Sequence, residues 1–310
     1  MRYKGLLLLA AALLVAGAFL LFARQIAAMH SGQSANANAK PVASDDTGVD
    51  ATAEAVTQST PPRKSGAVGM TDPYARYDAA TDLFPLAQEL RERAERGDID
   101  VVAALAELED ECMMFVLSHG DRSYIPRIVG QRDPSIKPWL DAMLERTNSR
   151  CQRFTRSDLM RREQIHDLLV AAAKQGSPSA KARLLVGTVD MQHMPDDVLA
   201  GTVHDILTSG NPAAFADLSA VMGARVQGRE QLFDVPSGSE SASYAYLFAA
   251  CQLGLDCGPN SRILTNLCFN GIGCGYPSIQ ALMQDTMLTP DQYRSMQQDV
   301  QQILAKIPHH

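Results

Sequence analysis

Residues 171–187, "AAAKQGSPSAKARLLVG", decide the fold. A run of good helix formers leads to Gly176, a residue that can leave a helix through the left-handed region at no steric cost. Ser177 and Pro178 follow at once, a capping side chain and a first-turn proline, so a second helix starts where the first one stops. Ala180 and Ala182 keep the second helix slim enough to fold back on the first, and Leu184 fills the layer between them. The stretch reads as a helical hairpin. Two other segments share its layout, "RGDIDVVAAL" from Arg96 and "SGNPAAFADL" from Ser209. Each has a glycine (Gly97, Gly210), then Val101 or Ala214 four residues on, Ala103 or Ala216 six on, and Leu105 or Leu218 eight on. Asn211-Pro212 repeats the cap and first-turn proline.

Outward from these hairpins the periodicity stays helical. Leu86, Leu90 and Ala94 stack at intervals of four, Leu105, Leu108, Cys112 and Phe115 form one stripe, and Tyr293, Met296, Val300, Ile303 and Ile307 form another. The last stripe is bracketed by Thr289, Pro290 and Gln292, which make a capping box with a first-turn proline, and by Pro308, which stops it. No convincing alternating strand is present; "YIPRIV" at 124–129 comes nearest and Pro126 weakens it. Aromatics make up only 6% of the chain. The expectation is an all-α fold of antiparallel helical hairpins, as a solenoid or an irregular bundle.

The unit at 171–187 resembles the tetratricopeptide superfamily, in particular its Sel-one-like branch, whose units read Ala-x-x-Gly-x-x-x-Ala-x-x-x-Leu. Ala173, Gly176, Ala180 and Leu184 carry the resemblance, and Gly176 and Gly210 stand at the 34-residue period of that superfamily. It covers about 100 residues, with one good unit and two poorer ones, and most of the usual aromatic positions are missing. It implies stacked hairpins around a concave groove that holds a partner peptide or subunit.

Three domains are expected. Residues 1–30 form an N-terminal anchor or signal segment, 31–76 a Ser/Ala/Asn/Pro-rich linker, and 77–308 the helical-hairpin body. Arg2 and Lys4 precede an uncharged run at 5–23, long enough at 1.5 Å per residue to approach the hydrocarbon thickness of a bilayer. The basic flank keeps that end in the cytoplasm, so the body is expected on the outer side of a bacterial inner membrane, in the periplasm, held by a single pass. The alternative is a cleaved signal and a soluble periplasmic or secreted product. The linker has almost no large apolar residues and reads as a flexible tether.

The chain has six cysteines: Cys112, Cys151, Cys251, Cys257, Cys268 and Cys274. "CQLGLDCGPNS" at 251–261 and "CFNGIGCGYPS" at 268–278 share one pattern, Cys-x-x-Gly-aliphatic-x-Cys-Gly-x-x-Ser. An even count beyond an export signal suggests disulfides. The doubled pattern favours two successive stapled corners, Cys251 with Cys257 and Cys268 with Cys274, leaving Cys112 for Cys151. Cross-pairing stays open, as does a four-thiolate zinc site, although its spacing is unlike the usual knuckle.

Functional motifs are scarce. None of the seven histidines forms a His-x-x-x-His pair, Glu163 and His166 make a lone Glu-x-x-His, and no nucleophile elbow, phosphate loop or dinucleotide fingerprint occurs. No cofactor and no obligatory metal is indicated. The net charge of −7 argues against nucleic acid as a partner. "LAELEDEC" carries Glu107, Glu109, Asp110 and Glu111 and reads as a solvated helix face. Arg146, Arg150 and Arg153 share a helical face at i, i+4 and i+7 and mark a candidate partner patch for an acidic group. The expected role is a membrane-tethered periplasmic scaffold or accessory protein that contacts another envelope protein or peptide; the alternative is a wall-acting hydrolase built from dispersed carboxylates.

Overall fold

The computed structural model describes residues 72–118, 130, 133–188 and 191–308. The expected anchor or signal segment at 1–30, nearly all of the expected linker and "YIPRIV" lie outside them. The described residues form twelve α-helices and no strand. The first four are α1 (Pro73–Ala79), α2 (Leu83–Glu95), α3 (Val102–Leu117) and α4 (Lys137–Cys151). α5 (Arg162–Lys174), α6 (Pro178–Gly187), α7 (Asp196–Ser209) and α8 (Pro212–Met222) follow. The last four are α9 (Glu240–Gln252), α10 (Arg262–Phe269), α11 (Ile279–Leu282) and α12 (Pro290–Leu304). The first helix begins inside the stretch read as linker: Asp72 caps it, and Tyr74 and Tyr77 bury their rings, so residues 72–76 belong to the helical body. Among the described residues no helix is long and apolar enough to cross a membrane.

The hairpin punctuation is the local cause of this architecture. Gly97, Gly176, Gly254 and Gly271 all have φ between 81° and 111°. At each, the following N–H reaches back five residues, as from Ser177 to the Ala172 carbonyl (3.0 Å) and from Leu255 to Ala250 (3.0 Å). This closing bond satisfies a carbonyl that the helix end would leave orphaned. The next helix is then capped by a side chain: Ser177 accepts from Ala180 N–H, Asn211 from Ala214 N–H, and Ser261 from Leu264 N–H. The capping box of Thr289 and Gln292 opens α12 as expected.

α6 packs against α5, α7 and α8, α8 against α9, and α9 against α12. Two cores result. The N-terminal core gathers α1–α3, α5 and the start of α6 around Leu83, Leu90, Leu105 and Leu108. The C-terminal core gathers the later helices around Ile206, Phe215, Leu218, Tyr246 and Met296. Every residue of the three expected stripes is buried except Phe115 and Ile307, which are half-buried and pack against these cores.

All six cysteines are paired, in the local scheme. Cys112–Cys151 joins α3 to the end of α4, and Cys251–Cys257 and Cys268–Cys274 each close a corner six residues long. The zinc alternative therefore has no thiolates left. A small third cluster of Leu140, Met143 and Cys268 seats α4 on the last corner, where the indole of Trp139 covers Gly275. A Cβ on Gly275 would lie 3.0 Å from that ring, and the residue's φ is +81°, so the corner admits only glycine there.

Candidate functional site

A cleft of about 540 Å³ runs between the two cores, walled by α3 and α4 on one side and by α6, α8, α9 and α10 on the other. Its polar half is an interlocked set of arginines and acids. Arg183 on α6 donates from Nη1 to Glu107 (3.4 Å) and to Asp217 (3.2 Å), and from Nη2 to Asp110 (3.3 Å). Arg262 on α10 holds Asp78 at 2.6 Å and also bonds the second oxygen of Glu107. Its guanidinium lies over the rings of Tyr74 (5.2 Å) and Tyr77 (5.0 Å). Arg150 stacks on the same Tyr77 ring at 5.0 Å, donates to the Tyr77 carbonyl (2.6 Å) and lies 3.9 Å from Glu111. Glu111 in turn accepts from the Tyr77 hydroxyl (2.6 Å). Tyr77 is thus the hub of the set, and α1 is the element that delivers it. Cation–π contacts of this desolvated kind hold a guanidinium that a bare pocket could not.

The other half of the cleft is apolar: Leu247 of α9, Ile263 and Leu267 of α10, and Leu282, Met283 and Met287. Met283–Met287 is a π-helical turn that extends α11, an irregularity that often marks a functional surface. Thr265, Asn266 and Asn260 form the polar rim.

Three polar groups of the cleft walls lack a full complement of partners. Asp217 is 8% exposed, and its Oδ2 accepts no hydrogen bond. Burial, opposed by Arg183, pushes its carboxyl up to about 6. Arg150 is 7% exposed and its Nε donates to nothing. Arg146 has no carboxylate within ion-pair distance among the described residues; its one hydrogen bond goes to Thr265 Oγ1 at 2.6 Å. Burial, and then the neighbouring Arg150, pull its pKa below that of a free guanidinium.

These observations revise two expectations. The triad Arg146, Arg150 and Arg153 is not one outward patch. Arg150 is internal, Arg146 faces the cleft, and only Arg153 is exposed, where it pairs with Asp82 at 2.8 Å and stacks on Phe84 at 4.8 Å. The acidic run is not a solvated face either. Glu109 is fully buried, bonded by Arg91 and by the Met160 N–H (3.0 Å), and Glu107 and Glu111 are largely covered by the arginines just described. Only Asp110 stays exposed. Sequence reasoning missed Tyr77, Arg183, Asp217 and Arg262. Arg183 and Asp217 do carry a signal: each is seven residues past its hairpin glycine, at the same place in two aligned units.

His166 is exposed on α5, beside a second groove shared with Arg162, Ile165 and Leu169. Among the described residues no group of histidines, cysteines and acids could hold a metal ion. No family model matches the chain, and no curated protein or solved structure shows significant similarity to it.

Proposed function

We propose that the chain is an exported, membrane-tethered helical scaffold that holds a partner in the cleft between its cores. The observation that carries this reading is the cleft's construction. Half of its wall is apolar and half is a charged network in which Glu107, Arg183 and Arg262 are each braced by several neighbours. Such a wall is preorganised for recognition. The three disulfides support an oxidising compartment, and the basic residues ahead of the apolar run at 5–23 support an anchor whose other side carries the body.

A second reading, a hydrolase, is favoured by one observation. Glu107 and Asp217 converge on a single nitrogen of Arg183, and Asp217 has its pKa raised towards that of a general acid. Against it, the guanidinium fills the space between the two carboxylates where a scissile bond would have to lie.

The test is a photo-crosslinking amino acid placed at Asn266 on the cleft rim, with Arg156, exposed and outside the cleft lining, as control. A reproducible protein adduct from Asn266 and none from Arg156 is expected in living cells. Equal adducts, or none, would remove the scaffold reading; turnover of cell-wall glycan lost in Asp217→Asn would favour the hydrolase.

A further inference from the structure

The geometry points to a specific ligand chemistry for this cleft: a carboxylate on an apolar body, with the carboxylate bound by Arg146 beside Arg150 and Thr265, and the body lying along Ile263, Leu267, Met283 and Met287. The inference rests on the cleft being the binding site.

Arg183 and Arg262 are saturated, holding four carboxylates between them. Among the described residues Arg150 has Glu111 at 3.9 Å, which accepts the Tyr77 hydroxyl as well, and also interacts with Asp78, already held by Arg262, whereas Arg146 has no carboxylate within ion-pair distance. Asp256 contributes from a solvent-exposed position outside the lining, where salt screens it. Arg146 is therefore a guanidinium without an ion-pair partner among the described residues, in a partly desolvated place. A monoanion neutralises that charge, whereas a phosphomonoester, at nearly two negative charges, would overshoot it.

A guanidinium presents a planar fork, and one side of Arg146 is fixed by Thr265, leaving its other N–H groups for a carboxylate. Thr265 and Asn266 sit on the same helix as Ile263 and Leu267, so α10 offers a polar grip and an apolar track side by side. A cleft of about 540 Å³ falls within the size range of small-molecule sites, large enough for a medium-length acyl chain or the last two residues of a peptide.

The test uses the full-length oxidised chain kept soluble in an amphipathic polymer. Its probes are octanoate, octanol, and an acetylated Ala-Leu-Ala-Leu peptide with a free or an amidated C-terminus. Calorimetry should show octanoate or the free-acid peptide binding at least about tenfold more tightly than its neutral counterpart. Arg146→Gln should abolish that preference, Arg146→Lys should restore part of it, and Arg153→Gln, outside the cleft, should leave it intact. Circular dichroism and thiol titration confirm that each variant is folded and oxidised. Binding of octanoate alone assigns an acyl carboxylate, and binding of the peptide alone assigns a chain terminus. Equal affinity for charged and neutral probes, an unaffected Arg146→Gln, or no binding of either acid at about 1 mM would overturn the assignment. A crosslink from Asn266 that persists while both acids fail would leave the scaffold reading standing and remove only the carboxylate.

Discussion

The two cores of this molecule are built from the same hairpins and are tied in opposite ways. The N-terminal core is closed by one long-range bridge, Cys112–Cys151, whose ends stand 39 positions apart and are both fully buried. The C-terminal region is tied by two six-residue staples, and in each the second cysteine, Cys257 or Cys274, is only partly covered. The long bridge excludes many unfolded conformations, and the short ones mainly hold a turn in shape. In the chain-entropy picture the first is worth about 4 kcal/mol and each staple about 2 kcal/mol. A second contrast follows. The short C-terminal helices α10 and α11 pack little surface of their own, α10 between the two staples and α11 just after the second, whereas α2 and α3 bury continuous stripes. Staples occur where helices are too short to be stable by packing alone.

The contrast can be broken by removing the ties one at a time. Replacing Cys112 and Cys151 together by serine should cost the most, about 4 kcal/mol in a urea titration. A loss no greater than that of a short staple would show that the unfolded chain is already constrained. Arg183→Met comes next, at about 3 kcal/mol, because Glu107 and Asp217 are then left as poorly compensated buried acids. Adding Asp217→Asn should recover part of that loss, and strictly additive effects would mean the pair is not coupled. Replacing Cys251 and Cys257 should cost about 2 kcal/mol and leave the N-terminal core intact by hydrogen exchange. Mild reductant should open the two C-terminal bridges before Cys112–Cys151. The only tryptophan, Trp139, lies against the residue after Cys274, so its fluorescence should rise as that disulfide stops quenching it. Smallest are the caps: Ser177→Ala and Asn211→Ala should each cost about 1 kcal/mol.

A pH experiment sharpens the same comparison. Asp217 holds its proton more tightly folded than unfolded, with the folded value at about 6 against 3.8 for a free side chain. Folding therefore takes up a proton between those values, and this group's contribution to stability falls as the pH rises through the window, levelling off above it. The difference in stability between wild type and Asp217→Asn should change between pH 4 and 6 and stay constant from pH 7 to 8. A flat difference throughout would mean that Oδ2 is solvated.

Much of this architecture is legible in the residues, and the reason is locality. Gly176, Ser177 and Pro178 specify a helix end and a helix start within three positions, and the doubled cysteine pattern names its own pairs. The cleft is not local. Arg262 meets Asp78 across 184 residues and Arg183 meets Asp110 across 73, and no spacing rule reaches that far. The burial of the acidic run has a more local sign. Glu109 stands four residues after Leu105 and three before Cys112, on the buried stripe itself, and only a partner from another helix, Arg91, makes that position tenable. Asp217 is similar: one acid on the apolar face of "PAAFADLSAVM" implies a cation opposite, though not which. Arginines 146, 150 and 153 share a face as their spacing implies, yet the packing of α4 against α2 and α10 assigns each a different environment.

The most direct test of the account is a disulfide map of the protein isolated, with thiols trapped, from its native location. The account predicts three bridges, Cys112–Cys151, Cys251–Cys257 and Cys268–Cys274, and no trapped thiol. Reduced cysteines at the C-terminal corners, or a bridge between them such as Cys251–Cys268, would contradict both the proposed export of this body and the stapled corners beside its cleft.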